Sequence, residues 1–162
     1  MNHKKYNPDI HHRHSVRIPD RDYSSASAYF VTLCADRPEP IFTIPELRTI
    51  LIETWQTLPE RFPSVSLDEF IIMPDHIHFI IWLYRTQEPA PTLGRVIGTY
   101  KSQAALAWLN HIKFNNLECS GRIWHRNYYE RVVRIAELEQ TRQYIRSNPA
   151  KLAQHHDSKS PE

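Results

Sequence analysis

The order of the predicted elements places this chain of 162 residues in the α+β class, as a two-layer domain with helices on a mainly antiparallel sheet. Apolar, β-branched runs alternate with amphipathic patterns in the order β, α, β, β, α, β, α. Only Pro74 and Asp75 separate the second and third strand candidates, and so short a connection implies an antiparallel hairpin. The length fits one domain, and a hydrophobic content of 41% is enough to build its core.

The first half of the chain supplies three strands and one helix. Residues 28–35 are aromatic and β-branched, which predicts a strand. Residues 45–58 carry apolar side chains at helical spacing, with Pro45 suited to the first turn and Pro59 and Pro63 ending the helix. Residues 65–73 and 76–84 are the two strands of the hairpin.

The second half supplies two helices and one strand. Residues 92–112 form a long amphipathic pattern that Thr92 can cap. Residues 128–135 predict a fourth strand, and residues 136–147 a final helix that Asn148 and Pro149 end. Residues 1–26 are interrupted by proline and serine and predict an extended basic arm. We therefore expect an arm at 1–26, one domain at 27–152 and a flexible tail at 153–162.

The composition excludes several classes of protein. The chain has only 3 glycines, and they form neither of the glycine-rich loops that cradle nucleotides, so we expect no nucleotide cofactor. Its two cysteines, Cys34 and Cys119, form no C-x-x-C pair and predict reduced thiols. No apolar run approaches the roughly 20 residues that span a bilayer, and the amino terminus resembles no signal peptide. We expect a cytoplasmic protein with no membrane partner.

The charge is unevenly distributed although the formal net charge is only +2. Residues 1–21 hold five basic and two acidic side chains, a balance of +3, and residues 120–151 hold seven and three, a balance of +4. Two basic ends around an acidic middle are typical of a protein that binds a polyanion. Two solvated basic faces would give the same counts, and charge alone leaves both interpretations open.

Two clusters of side chains could carry chemistry. His76 and His78 flank Ile77 on a predicted strand, so both imidazoles project from one face and could bind one metal ion. Two half-buried histidines satisfied by hydrogen bonds are the alternative. On the last helix Tyr144 and Asn148 are four residues apart and share a face. A tyrosine in such a place can also be only a packing residue at the edge of the domain.

A third cluster lies between residues 124 and 134, where aromatic side chains alternate with arginines in the segment WHRNYYERVVR. Aromatic rings stack on unpaired bases while arginines bind phosphates, which is how proteins hold single strands. Core aromatics of a strand would give the same pattern, so both interpretations stay open.

Several segments together resemble a known family. The segment IIMPDHIHFIIWL resembles the histidine-hydrophobe-histidine strand of the single-tyrosine HUH transposases. The later segments GTYKSQAALAWL and IWHRNYYERVVRIAELEQTRQYIRSNP resemble further blocks of that family, and HHRHSVRIPDRDYSSASAYFVTLC resembles the arm of its REP-associated branch. The resemblance covers roughly residues 7–152. One departure is Asp75, where many relatives have asparagine, and this turn residue leaves both histidines in place.

The resemblance implies a ferredoxin-like HUH endonuclease fold and a function in DNA transposition. Such enzymes cleave and rejoin single-stranded DNA hairpins, for example REP palindromes, through a 5′-phosphotyrosine intermediate. By resemblance Tyr144 is the nucleophile, and His76, His78 and Asn148 hold one divalent cation, Mg²⁺ or Mn²⁺. We expect the hairpin to be bound by basic residues of the arm and of the later blocks: Arg13, Arg17, Lys101, Arg126, Arg131, Arg134, Arg142 and Arg146.

Other functions remain open at this point. A domesticated hairpin-binding protein without efficient cleavage would keep the same DNA-binding surface. A small zinc hydrolase would use the histidine pair, although no evident general base stands near it in the sequence. The resemblance allows a monomer or a homodimer, and implies association with the nucleoid when DNA is bound.

Overall fold

The computed structural model describes residues 26–37, 39–85 and 90–157, with side chains described through residue 149. Four strands form one antiparallel sheet: β1 (Ser27–Cys34), β2 (Val65–Ile72), β3 (His76–Leu83) and β4 (Tyr129–Val133). Their order across the sheet is β2-β3-β1-β4, so the predicted hairpin of β2 and β3 forms one side of it. The α+β class with a mainly antiparallel sheet is confirmed. The predicted arm falls almost wholly outside the described residues.

In the described part of the chain four α-helices cover the sheet: α1 (Pro45–Gln56), the short α2 (Leu58–Arg61), α3 (Leu93–Asn115) and α4 (Ile135–Asp157). Thr92 caps α3 as predicted, because its side-chain oxygen accepts a hydrogen bond of 3.2 Å from the backbone N–H of Arg95. Pro59 does not simply end a helix but lies in the first turn of α2. None of the helices in the described part of the chain combines the length and apolar character needed to cross a membrane.

The two faces of the sheet are covered by different helices. On one face Ile77, Phe79 and Ile81 of β3 are fully buried in the main core, which includes apolar residues of α1 and α3. On the other face Ile80 packs in a smaller cluster with Ile145 of α4. Helix α4 therefore lies on the face of the sheet opposite to α1 and α3. The predicted two-layer arrangement did not specify this. His76 and His78 share the face of Ile80, so they lie on the same side of the sheet as α4.

The prediction that Asn148 and Pro149 end the last helix was wrong. Helix α4 continues through Pro149 to Asp157. Proline lacks the N–H that would bond to the carbonyl of Ile145, which usually breaks a helix. Here the buried side chain of Ile145 and the ion pairs described below fix the turns before the proline. Tertiary contacts therefore override a local propensity.

Candidate active site

The histidine pair on β3 has its two Nε2 atoms 3.1 Å apart. Each ring is held by its other nitrogen: Nδ1 of His76 lies 2.6 Å from Oδ1 of Asp75, and Nδ1 of His78 lies 2.8 Å from Oγ1 of Thr32. Because a carboxylate only accepts hydrogen bonds, Asp75 holds a proton on Nδ1 of His76, and in the neutral ring the lone pair then lies on Nε2. The Thr32 hydroxyl can accept from His78 in the same way. Both rings are therefore oriented as metal-binding histidines usually are.

Burial keeps one of these imidazoles neutral. The side chain of His78 is almost fully buried, at 7% exposure. Burial first, and the neighbouring His76 second, lower the pKa of His78 from 6.5 to about 4. At neutral pH the ring is therefore uncharged, which is the form that binds a metal ion.

Tyr144 on α4 stands beside the pair. Its ring centroid lies 5.9 Å from that of His78 and 6.0 Å from that of Phe30 on β1. Phe30 also stacks on His78 at 5.3 Å, so the three rings form one aromatic group. Tyr144 is 46% exposed, so its phenol is both next to the histidines and accessible to a substrate.

Asn148 lies one turn beyond Tyr144 on α4, as predicted from the spacing. Its side-chain nitrogen Nδ2 is buried and has no hydrogen-bond partner in the part of the chain that the structure describes. Half a turn about the last torsion of this side chain exchanges its amide nitrogen and oxygen, so the oxygen can take the same place. A buried polar atom without a partner costs roughly 1–3 kcal/mol, so this amide is well suited to a ligand that supplies one.

The donor set fits a divalent cation. Two ligands about 2.1 Å from an octahedral ion and at right angles to each other are about 3.0 Å apart, close to the 3.1 Å between the Nε2 atoms. Two imidazoles and an amide suit Mn²⁺ or Mg²⁺, although imidazole also suits zinc. Among the described residues, no group of three His, Cys, Asp or Glu side chains could hold a metal ion. The third protein ligand would have to be of another type, as Asn148 is.

A bidentate ion pair joins α4 to the edge strand β2. Nε and a terminal nitrogen of Arg142 donate to the two carboxylate oxygens of Asp68, at 2.8 and 2.6 Å. The indole of Trp82 also donates to Asp68, at 2.8 Å. Burial raises the pKa of Asp68, but the hydrogen bonds from Arg142 and Trp82 outweigh it, so its pKa lies below 3.8. This carboxylate is the anchor of α4 on the sheet.

A second pair extends that anchor by one helical turn. Arg146 binds the carboxylate of Glu69 through Nε at 2.8 Å and through a terminal nitrogen. The pairing of β2 with β3 is irregular between Leu67 and Phe70, and at this bulge the consecutive Asp68 and Glu69 both reach α4. Tyr144 lies between the two arginines along the helix, so these pairs set where its phenol stands.

The arginines predicted to bind DNA therefore differ in their surroundings. Arg142 and Arg146 are paired with carboxylates, and Arg131 donates to Thr141 at 3.1 Å and lies 5.2 Å above the ring of Phe30. Within the described residues the side chains of Arg126 and Arg134 are exposed and make no ion pair. DNA contact by any of these five stays a prediction.

The remaining predicted contacts stay predictions as well. The ammonium of Lys101 is held by the backbone carbonyls of His125 and Arg126, at 2.7 and 3.3 Å. Arg13 and Arg17 lie outside the described residues.

Five residues of this site have roles that were not predicted: Phe30, Thr32, Asp68, Glu69 and Asp75. Asp75 could have been found, because a carboxylate next to a metal-binding histidine commonly accepts from its second ring nitrogen. Thr32 could not, since it faces His78 only through the register of β1 with β3. The role of Asp68 could not be predicted either, because its contact with α4 depends on the bulge in β2. That bulge has no clear signature in the sequence.

Comparison with known proteins defines the fold class first. The structure resembles that of a REP-associated tyrosine transposase bound to a REP hairpin, with a TM-score of 0.59 and 17% identity, covering 84% of this chain and 74% of that one. It also resembles a candidate transposase from Deinococcus radiodurans, with a TM-score of 0.53 and 17% identity, covering 78% and 94%. At this identity the likeness shows the fold, which this chain shares with both.

The family follows from the sequence. The family model described as "Transposase IS200 like" matches residues 23–148. An uncharacterized protein of Haemophilus influenzae is 32% identical over 172 residues, covering 90% of this chain and 92% of that protein. The chain belongs to the IS200-like transposase family, as the motif resemblance predicted.

Proposed function

We propose that this transposase-family protein cleaves and rejoins single-stranded DNA next to a hairpin through a 5′-phosphotyrosine intermediate. In this proposal Tyr144 is the nucleophile, and His76, His78 and Asn148 bind one Mg²⁺ or Mn²⁺. The substrate is a palindromic hairpin of the REP type. A REP hairpin is bound by one protein of the same fold, and the basic segments of this chain suit the same kind of ligand.

One observation carries the proposal. The phenol ring of Tyr144 lies 5.9 Å from His78, and both histidines are oriented by Thr32 and Asp75 so that their Nε2 atoms converge. A packing tyrosine at the edge of a domain would not need two oriented imidazoles beside it. A phosphate between the phenol and the histidine pair would meet a nucleophile on one side and metal-binding nitrogens on the other.

The proposed reaction exchanges one phosphodiester for another. The phenol oxygen of Tyr144 attacks phosphorus, the bond to the 3′ oxygen breaks, and the phenol proton passes through water to the departing 3′ oxygen. The products are a 5′-phosphotyrosine and a 3′-hydroxyl. A cation held by the histidines would polarise the phosphate and stabilise the departing 3′ oxygen. In the reverse direction a 3′-hydroxyl attacks the phosphotyrosine and rejoins DNA without ATP, since the bond energy is kept.

The chain's own residues do the positioning. Phe30 and the Asp68–Arg142 pair fix Tyr144 against the sheet, and Thr32 and Asp75 fix the imidazoles. We propose that the exposed Arg126 and Arg134, with Lys101, Arg131 and the arm residues Arg13 and Arg17, hold the phosphates of the hairpin. Arg142 and Arg146 would contribute positive charge while they remain paired with β2.

The test is the covalent adduct. The protein is incubated with a labelled single-stranded hairpin oligonucleotide and Mg²⁺ or Mn²⁺, and an SDS-resistant adduct is resolved on a gel. The adduct should form with the native protein and disappear in Tyr144→Phe and with EDTA. Tyr129→Phe is the matched control, because this exposed tyrosine lies on β4 and should leave the adduct intact.

The same gel separates the alternatives. Tight binding of cognate hairpin with no adduct under any metal would refute cleavage and favour a hairpin-binding protein. Hydrolysis of a substrate other than nucleic acid that survives Tyr144→Phe would favour a zinc hydrolase. Deleting residues 1–21 should weaken hairpin binding more than it lowers thermal stability, and unchanged affinity would refute the role of the arm.

A further inference from the structure

A second concave surface lies away from the histidine pair. It is a groove of about 570 Å³ between the end of α2 and the outer side of α3. We call it the α3 groove. The described residues that line it are Arg61, Phe62, Arg95, Gly98, Thr99, Ser102 and Gln103.

The charge of the α3 groove is positive and uncompensated. Arg61 and Arg95 are exposed, and neither makes an ion pair or a side-chain hydrogen bond within the part of the chain that the structure describes. This distinguishes them from Arg142 and Arg146, which are paired with carboxylates. Among the described residues no carboxylate lines the groove, and its other polar groups are hydroxyls and an amide that can donate to an anion.

The shape of the groove follows from the spacing of residues along α3. Positions 95, 98, 99, 102 and 103 recur every three or four residues and so form one face of the helix. The opposite face carries Val96, Ile97 and Tyr100, which are fully buried in the core. At Gly98 an added Cβ would meet no neighbouring atom of the described residues within 4 Å. The middle of the face is therefore open, and a ligand can approach the helix closely there.

The α3 groove is separate from the candidate active site. Helix α3 packs on the face of the sheet that carries Ile77 and Phe79, opposite the face of the histidines. Along the sheet, Phe62 at the groove precedes Val65, which pairs with Leu83 at the far end of β3 from His76. Seven residues of a strand span about 23 Å, so the end of the groove at Phe62 is far from His76 along the sheet. A ligand in the groove would not touch the histidine pair.

We propose that the α3 groove binds phosphate oxygens of the DNA backbone outside the cleaved segment. Two unpaired guanidinium groups and a row of neutral donors match a phosphodiester strand, and guanidinium binds phosphate in a bidentate way. This inference rests on the proposed function for its choice of DNA as the ligand. It adds a second contact region that holds the substrate from the opposite face.

The test places a negative charge in the groove. Gly98→Glu introduces a carboxylate where there is room for a side chain, and Gly98→Gln is its neutral control of nearly the same shape. Asn110→Glu adds the same charge at an exposed position of α3 outside the groove. Because glycine is unfavourable inside a helix, neither change at Gly98 should threaten folding. Circular dichroism and thermal unfolding check this.

The readout is the affinity for a fluorescent hairpin oligonucleotide with single-stranded tails, measured by anisotropy at several salt concentrations. Gly98→Glu should bind more weakly than Gly98→Gln and Asn110→Glu. The double variant Arg61→Gln/Arg95→Gln should reduce the slope of log affinity against log salt by about 2, since each lost phosphate contact contributes about 0.9. Equal affinity and salt slope in Gly98→Glu and Gly98→Gln would overturn the inference.

Other outcomes separate the groove from the proposed function. If the native protein binds the hairpin but forms no adduct, and Gly98→Glu still weakens binding, the groove inference stands although the cleavage proposal fails. If Gly98→Glu abolishes binding of inorganic phosphate or a mononucleotide but leaves DNA affinity unchanged, DNA is the wrong ligand. A native protein that binds no DNA would also overturn the inference.

Discussion

The Asp68–Arg142 pair offers the sharpest prediction about how the fold positions Tyr144. Asp68→Asn keeps the shape of the side chain but removes its charge and turns one acceptor into a donor that faces Arg142 or Trp82. The Asp68 side chain is 10% exposed and that of Arg142 30%, so the pair is neither a surface pair nor a fully buried one. Exposed pairs contribute less than about 1 kcal/mol, and hydrogen bonds to charged groups about 1.5–3 kcal/mol.

From these limits we expect Asp68→Asn to lower the free energy of unfolding by about 2 kcal/mol, which corresponds to about 4–8 °C in Tm for a domain of this size. The rate of adduct formation should fall by more than the loss of folded protein accounts for. Displacing a reacting group by about 1 Å can cost on the order of a hundredfold, and Tyr144 depends on this pair for its position. Urea unfolding and single-turnover adduct formation at saturating DNA measure the two effects.

Glu139→Gln is the matched control. Glu139 contacts Arg142 and Arg146 at 3.7 and 3.3 Å, but it lies on the same helix and does not tie α4 to the sheet. This variant should keep both the stability and the rate close to native. Combining Asp68→Asn with Arg142→Gln should cost less than the sum of the single changes, because the two groups interact directly. A rate in Asp68→Asn no lower than in Glu139→Gln would refute the positioning role.

Three further predictions concern the same side chains. Asp75→Ala should weaken binding of Mn²⁺, measured by calorimetry, by about tenfold or more, and Asp75→Asn should lose less because its amide oxygen still accepts from His76; equal affinity in all three proteins would contradict the orienting role. Thr32→Val should lower the free energy of unfolding by about 1 kcal/mol or more, because it leaves Nδ1 of His78 buried without a partner. It should also weaken Mn²⁺ binding. A variant that changes neither stability nor Mn²⁺ affinity would refute the contact between Thr32 and His78. The pKa of Asp68 is depressed by folding, so its stabilising effect is fully present above its ordinary pKa of 3.8 and is lost as the pH falls through the lower folded-state value. The difference in stability between the native protein and Asp68→Asn should therefore be constant near neutral pH and shrink in acid. A difference that stays constant down to the pH of unfolding would argue against this role of Asp68.

Much of the fold could be predicted because local signals agree with it. The strands from Val65 and His76 are β-branched and apolar and flank a turn at Pro74 and Asp75, and the predicted bounds of each lie within one residue of those observed. Thr92 at the start of a periodic pattern predicted the cap of α3. Pro149 misled the prediction because the helix around it is held by tertiary contacts that no local pattern shows.

The candidate site was predictable in part for the same reason. The spacing of His76 and His78 places both rings on one face whatever the rest of the fold does, and the structure confirms that they meet. The position of Tyr144 over the histidines depends on which face of the sheet α4 covers. The periodicity of the sequence does not predict that face. The motif resemblance supplied it. The ion pairs of Asp68 and Glu69 depend on a bulge and became visible only in three dimensions.

The most direct test of the central claim is to locate the DNA attachment by mass spectrometry. The adduct is digested with nuclease and trypsin, which should cleave after Arg142 and Arg146 and release the peptide 143–146. We expect a nucleotide linked through its 5′-phosphate to Tyr144 in that peptide, and in no other tyrosine. A nucleotide on Tyr128 or Tyr129 instead, or an adduct that persists in Tyr144→Phe, would contradict the account.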